Sequence, residues 1–139
     1  MIIWYVAAGS AAGGVARYLL SVFAQRESVT TFPWWTLLIN VLGSLLLGFL
    51  MRYIVEGTSL SANARAMLTT GFCGGFTTFS TFSYETVTMW QQGGARRAAT
   101  YVGLSVVLSL GAMYAGLWAA ERALGASGFG DVSSVAEEQ

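Results

Sequence analysis

Four long apolar runs, separated by short polar turns, set the pattern of this chain. The first extends from Ile2 to about Phe23, the second from Pro33 and Trp34 to about Tyr53, the third from Ala64 to about Trp90 and the fourth from about Ala98 to Ala120. Each reaches the roughly 20 residues that a helix needs to cross a bilayer core. The stretches between them, Gln25 to Thr31, Glu56 to Asn63 and Gln91 to Ala95, hold the polar residues and glycines of loops. Pro33 suits the first turn of the second helix, where its missing N–H is no loss, and Ser61 or Asn63 suits the cap of the third. Trp34 and Trp35 fall where an aromatic belt anchors a helix end. Beyond Ala120, the segment from Gly125 to Gln139 is rich in Gly, Ser and acid. It reads as a disordered tail, so the expected organisation is an all-α membrane domain over residues 1–124 followed by a tail over 125–139.

Polar positions inside the spans are few and grouped. Gly9 and Gly13, with Ala12 and Ala16 nearby, form a small-residue face that lets another backbone approach; Gly43, Ser44 and Gly48 do the same on the second helix. Arg17 costs a few kcal/mol in a span unless it snorkels, pairs or faces water, so it either reaches the interface or attracts an anion. Asn40 stands among Leu37, Leu38, Ile39, Val41 and Leu42, one turn from Thr36. Its amide requires partners, either on a neighbouring helix or along a pore. In the fourth run Tyr101, Ser105 and Ser109 recur every four residues and share one stripe.

The densest group is Gly71-Phe72-Cys73-Gly74-Gly75-Phe76-Thr77-Thr78-Phe79-Ser80-Thr81-Phe82, followed by Ser83, Tyr84 and Glu85. Gly74-Gly75 is predicted to interrupt the third helix, leaving carbonyls near mid-bilayer without helical donors. Lipid offers no substitute, so such a break must be buried in protein or line a wet cavity. Oxygen ligands of this kind suit a hard monovalent cation. Phe79 and Phe82, three apart, share a helix face. They either fill a core or turn their electropositive ring edges toward an anion.

Composition narrows the class further. The chain is 55% hydrophobic and 10% charged, against about 25% charged in soluble domains, and mean hydropathy is +0.58. Its seven cationic residues are all arginines, it has no histidine, and its formal net charge is zero, so nothing argues for nucleic acid. A lone Cys73 forms no intrachain disulfide, and zinc or redox-metal chemistry is not expected. No nucleophile and base pair suggests an enzyme. The first run lacks a basic leader and a cleavage signal, so a removable signal peptide is not expected. Four spans place Arg52, Arg65 and Arg122 on one side and Arg26, Arg96 and Arg97 on the other. Orientation follows an excess of Arg and Lys in cytoplasmic loops, and an even split gives no excess. Insertion in both orientations, with an antiparallel homodimer closed on a two-fold axis, is the expected consequence.

At these residues the sequence resembles the fluoride channels of the CrcB or Fluc family. The resemblance is carried by Gly13 through Arg17 and Tyr18, by Thr36-Leu37-Leu38-Ile39-Asn40, by Gly71 to Glu85, and by Tyr101-x-x-x-Ser105-x-x-x-Ser109. Phe76 departs from the aliphatic residue expected there, and the tail is longer than typical. The resemblance implies passive export of fluoride through two pores of an antiparallel dimer in the cell membrane. It implies that the Gly74 and Thr77 carbonyls hold a structural Na+. It also implies that Phe79, Phe82 and Asn40 face fluoride, that Thr36, Ser80, Thr81, Ser105 and Ser109 supply hydroxyls along the path, and that Tyr101 supports the rings. Arg17 and Glu85 match vestibule positions. The alternative is a small dual-topology, proton-coupled exporter, which requires an acid in the bilayer. Glu85 is the candidate.

Overall fold

The computed structural model describes the backbone of residues 1–27, 32–57 and 60–135, and the side chains of these other than 24–27, 55, 57 and 126–135. Parts of the first two predicted loops, 28–31 and 58–59, and the last four tail residues lie outside the described residues. Among the described residues three helices are long and apolar enough to cross a membrane: α1 (Ile2–Glu27), α2 (Trp34–Gly57) and α6 (Ala95–Val135). Large apolar side chains cover their outside rather than retreating inward, with Trp4 76% and Phe23 72% exposed. That inverted surface suits lipid and makes this a multi-pass membrane protein.

The remaining predicted span is divided. It starts at α3 (Ala62–Ala66), capped by Ser61, whose Oγ accepts from the Ala64 N–H at 3.3 Å. It widens into a π-helical stretch over Met67–Cys73 and tightens again into the single turn α4 (Gly74–Phe76). Thr77 (φ −78°, ψ 158°) and Thr78 (φ −148°, ψ 110°) are extended, and α5 (Phe79–Gln91) follows. The expected interruption at Gly74-Gly75 is therefore corrected, because Gly74 is helical with φ −64° and ψ −38°. Gly75 serves close approach, since a Cβ there would lie 2.6 Å from Ser10 O, whereas Gly74 has nothing within 4 Å of its Cβ position. The threonines end the helix instead, since short hydroxyl side chains compete for backbone groups. At the far end of α5, Gly93 adopts φ 78° and the Gly94 N–H donates to Met89 O at 2.9 Å, forming the Gly-Gly turn that the sequence predicts.

Small residues set the packing. On α1, a Cβ on Gly9 would collide with Met67 O and one on Gly13 with Phe72 O, so α1 lies directly on the π-helical stretch and α4. Gly48 meets Met113, and Gly116 meets Leu45 and Phe49, which brings α2 and α6 together in parallel. Arg52 joins their ends, with Nε 2.9 Å from Glu56 Oε2 and Nη2 3.6 Å from Glu121 Oε1. Near the other end a core of Leu37, Met89, Ala98 and Tyr101, flanked by Phe32, Val41, Phe82 and Leu104, ties α5 to both. α6 continues as helix to Val135, past the predicted end at Ala120 and through most of the predicted tail. Glu121 and Arg122 end a membrane span without ending a helix, because both are good helix formers.

Substituting Gly13→Val is expected to destabilise the protein by about 1–3 kcal/mol or more, since the new side chain meets backbone that cannot rotate away. Gly14 has nothing within 4 Å of its Cβ position, so Gly14→Ala serves as the neutral control. Unfolding midpoints in detergent check the pair.

Candidate functional site

The site begins with a pairing between α2 and the extended residues. The Thr78 N–H donates to Asn40 Oδ1 at 2.8 Å, and Asn40 Nδ2 donates back to Thr78 O at 3.2 Å. One side-chain amide thus satisfies both polar groups of Thr78, as a neighbouring strand would. Thr78 also caps α5: its Oγ1 accepts from the Thr81 N–H at 3.2 Å, donates to Thr81 Oγ1 at 3.0 Å and lies 3.2 Å from Ser80 Oγ. The carbonyls just before are handled individually. Cys73 O accepts from Thr77 N–H and Thr77 Oγ1, each at 3.0 Å, and Gly75 O accepts from Arg17 Nε at 3.2 Å. With Thr78 N–H and Thr81 N–H diverted, the carbonyls of Gly74 and Thr77 lose their i+4 donors.

Asn40 opens onto a cleft of about 380 Å³ whose polar walls are Thr77, Thr78, Ser44, Ser105 and Ser109 and whose aromatic wall is Phe79 and Phe82. The two rings stand 5.5 Å apart, and Phe82 lies 5.2 Å from Tyr101. Ser105 Oγ is buried beside Tyr101, which it meets without the geometry of a full hydrogen bond. Other hydroxyls behave differently: Ser83 and Thr86 donate to the carbonyls one turn back, Phe79 O and Phe82 O. A buried hydroxyl with only a weak partner keeps hydrogen-bonding capacity at the cleft wall.

A second cluster lies beyond Phe82. Glu85 Oε1 accepts from Thr36 Oγ1 at 2.8 Å, and Oε2 accepts from Tyr101 OH at 2.7 Å. Tyr101 is wholly buried, and Phe32 meets its ring edge-on at 5.5 Å.

Of the residues singled out from sequence, Asn40, Phe79, Phe82, Ser105, Ser109 and Thr77 converge on the cleft. Thr36, Tyr101 and Glu85 share the second cluster, with Tyr101 also supporting Phe82. Ser80 and Thr81 gather round the Thr78 hydroxyl. Arg17 holds Gly75 O, next to Gly74. Sequence reasoning passed over Thr78 as a site residue. Its signal was a hydroxyl just before a helix and three before another hydroxyl, the pattern of an N-cap.

A family model described as "CrcB-like protein, Camphor Resistance (CrcB)" matches residues 4–117. The chain belongs to the CrcB family. Among relatives of this CrcB chain, a protein of Nitrobacter winogradskyi named "Fluoride-specific ion channel FluC" is 48% identical over 112 residues, covering 81% of this chain and 89% of the relative. One of the same name from Chlorobaculum tepidum is 48% identical over 111 residues, 80% of this chain and 87% of the relative. Another from Agrobacterium fabrum is 42% identical over 112 residues, 81% and 90%. The match to the CrcB model takes in every site residue above, from Arg17 to Ser109.

Proposed function

We propose that this protein is a passive, fluoride-selective ion channel and not an enzyme, working as an antiparallel homodimer with two pores. The observation that carries the reading is the convergence of Asn40, Phe79, Phe82, Ser105 and Ser109 on one cleft between membrane-crossing helices. The names of the relatives point to the same ion. Fluoride is small and tightly hydrated, so a pore must replace its water with several good donors. Ser105 and Ser109 offer O–H groups, Asn40 retains one N–H beyond its bond to Thr78, and the rings offer positive edges. None of these binds so strongly that the ion is trapped. Phe79, 79% exposed in the single chain, gains a polar path to line when a second, inverted copy covers it. The membrane potential drives the anion outward from the cytoplasm.

The residues fit a structural Na+. Gly74 and Thr77 carbonyls lack their helical donors, Gly74 is exposed with open space around its Cβ position, and a two-fold partner doubles the oxygen set. Main-chain oxygens are the ligands a hard cation takes. Such an ion supplies fixed positive potential near the pores.

The proton-coupled alternative assigns Glu85 the coupling role. A carboxylate gripped by Thr36 and Tyr101 is poorly placed to cycle its proton between two sides. Efflux from proteoliposomes, read with a fluoride electrode and with chloride as control, separates the two. Voltage-driven fluoride efflux, lowered no more than about tenfold in Glu85→Gln because one neutral hydrogen-bond set replaces a charged one, supports the channel. Saturable, proton-stoichiometric exchange abolished by that substitution supports the exporter.

A further inference from the structure

Asn40 does more than face the cleft. In an uninterrupted helix the Thr78 N–H would donate to Gly74 O and the Thr81 N–H to Thr77 O. Here Asn40 Oδ1 takes the first at 2.8 Å and Thr78 Oγ1 takes the second at 3.2 Å. Three neighbouring carbonyls do have partners: Cys73 O keeps Thr77, Gly75 O takes Arg17, and Thr78 O takes Asn40 Nδ2. Two donors are thus withdrawn, each by one identifiable side chain, and the carbonyls they would have served, those of Gly74 and Thr77, lie three residues apart.

We infer that Asn40 and Thr78 are positioning residues for the cation: by capturing the Thr78 and Thr81 N–H groups they keep the Gly74 and Thr77 carbonyls available to a hard monovalent ion. The inference rests on the channel reading above for the identity of that ion. It couples the pore amide to the cation site, because the atom that holds the chain open at Thr78 belongs to the side chain that faces the anion path. Removing the Asn40 amide returns the Thr78 N–H to Gly74 O. Removing the Thr78 hydroxyl returns the Thr81 N–H to Thr77 O. Either change gives the cation a competitor at one of its ligands.

The test is the thermal unfolding midpoint of the full-length protein in detergent, titrated with sodium chloride against N-methyl-D-glucamine chloride. A ligand that binds only the folded state raises the midpoint with concentration. The wild-type midpoint is expected to rise with sodium. In Asn40→Ala the rise is expected to require about tenfold or more sodium, as one lost hydrogen-bond arrangement implies. Thr78→Val should behave likewise, and Thr78→Ser, which keeps the hydroxyl, should retain the rise. A sodium response in Asn40→Ala and Thr78→Val equal to that of wild type, on a uniformly lowered midpoint, overturns the inference and leaves the channel reading standing. A wild-type protein indifferent to sodium overturns the cation reading and the inference with it. If Asn40→Ala does not fold, the Thr78 pair decides. Failure of both to fold in either salt overturns the inference, since the pairing would then be a condition of folding rather than of ion binding.

Discussion

Fluoride efflux is expected to fall by at least about a hundredfold in Asn40→Asp. The substitution is nearly isosteric, keeps an oxygen for the Thr78 N–H, and puts a negative charge on the wall shared with Ser105, Phe79 and Phe82. Two like charges about 4 Å apart at an effective dielectric of about 20 repel by about 4 kcal/mol, nearly a thousandfold in occupancy. Lost donation from Nδ2 to Thr78 O adds to the effect without reversing it. The measurement is efflux from liposomes with matched protein content, alongside a size-exclusion profile showing the same assembly. Undiminished efflux would place Asn40 outside the anion path and reduce it to a packing amide.

Phe82→Ile is expected to cut efflux by about tenfold or more while the protein still assembles. Isoleucine fills most of the space between Phe79 and Tyr101 but has no quadrupole, so the positive ring edge disappears along with the aromatic contacts at 5.5 Å and 5.2 Å. Some stability is lost too, on the order of 1 kcal/mol, because the smaller side chain leaves part of the site empty. A packing role alone predicts a lower unfolding midpoint with normal efflux per folded protein. Ring-edge conduction predicts the reverse emphasis, and the ratio of the two readouts decides.

How much of this was legible in the sequence depends on how far the cause lies from the residue affected. Spans one, two and four announce themselves because an unbroken apolar run has few other uses at that length. Glu121 and Arg122 misled about the helix end, since charge marks the edge of a bilayer and not the edge of a helix. Gly74-Gly75 was misread for a related reason. Glycine both loosens a helix and admits a neighbour, and at Gly75 only the position of Ser10 tells which applies. The departure from helix at Thr77 and Thr78 joins the local competition of their hydroxyls to a pairing with Asn40, 38 residues away, and local propensity does not contain that partner. Asn40, Phe79, Phe82, Ser105 and Ser109 were legible as a set because helical spacing places the last four on two defined faces and an amide in lipid demands company. The grip of Thr36 and Tyr101 on Glu85 was not, since it joins three helices.

The wide turn at Met67–Cys73 stores the angular phase of everything after it. Gly74 N–H reaches back five residues to Thr69 O as well as to Gly71 O, so this stretch accommodates more chain per turn than the helices around it. Losing one residue there would restore ordinary winding at almost no cost to the stretch itself, yet it would swing Thr78, Phe79 and Phe82 by about 100° away from Asn40. The identity of some of these seven positions is set by α1 packed against them, as at Gly71, but their number is fixed by what lies downstream.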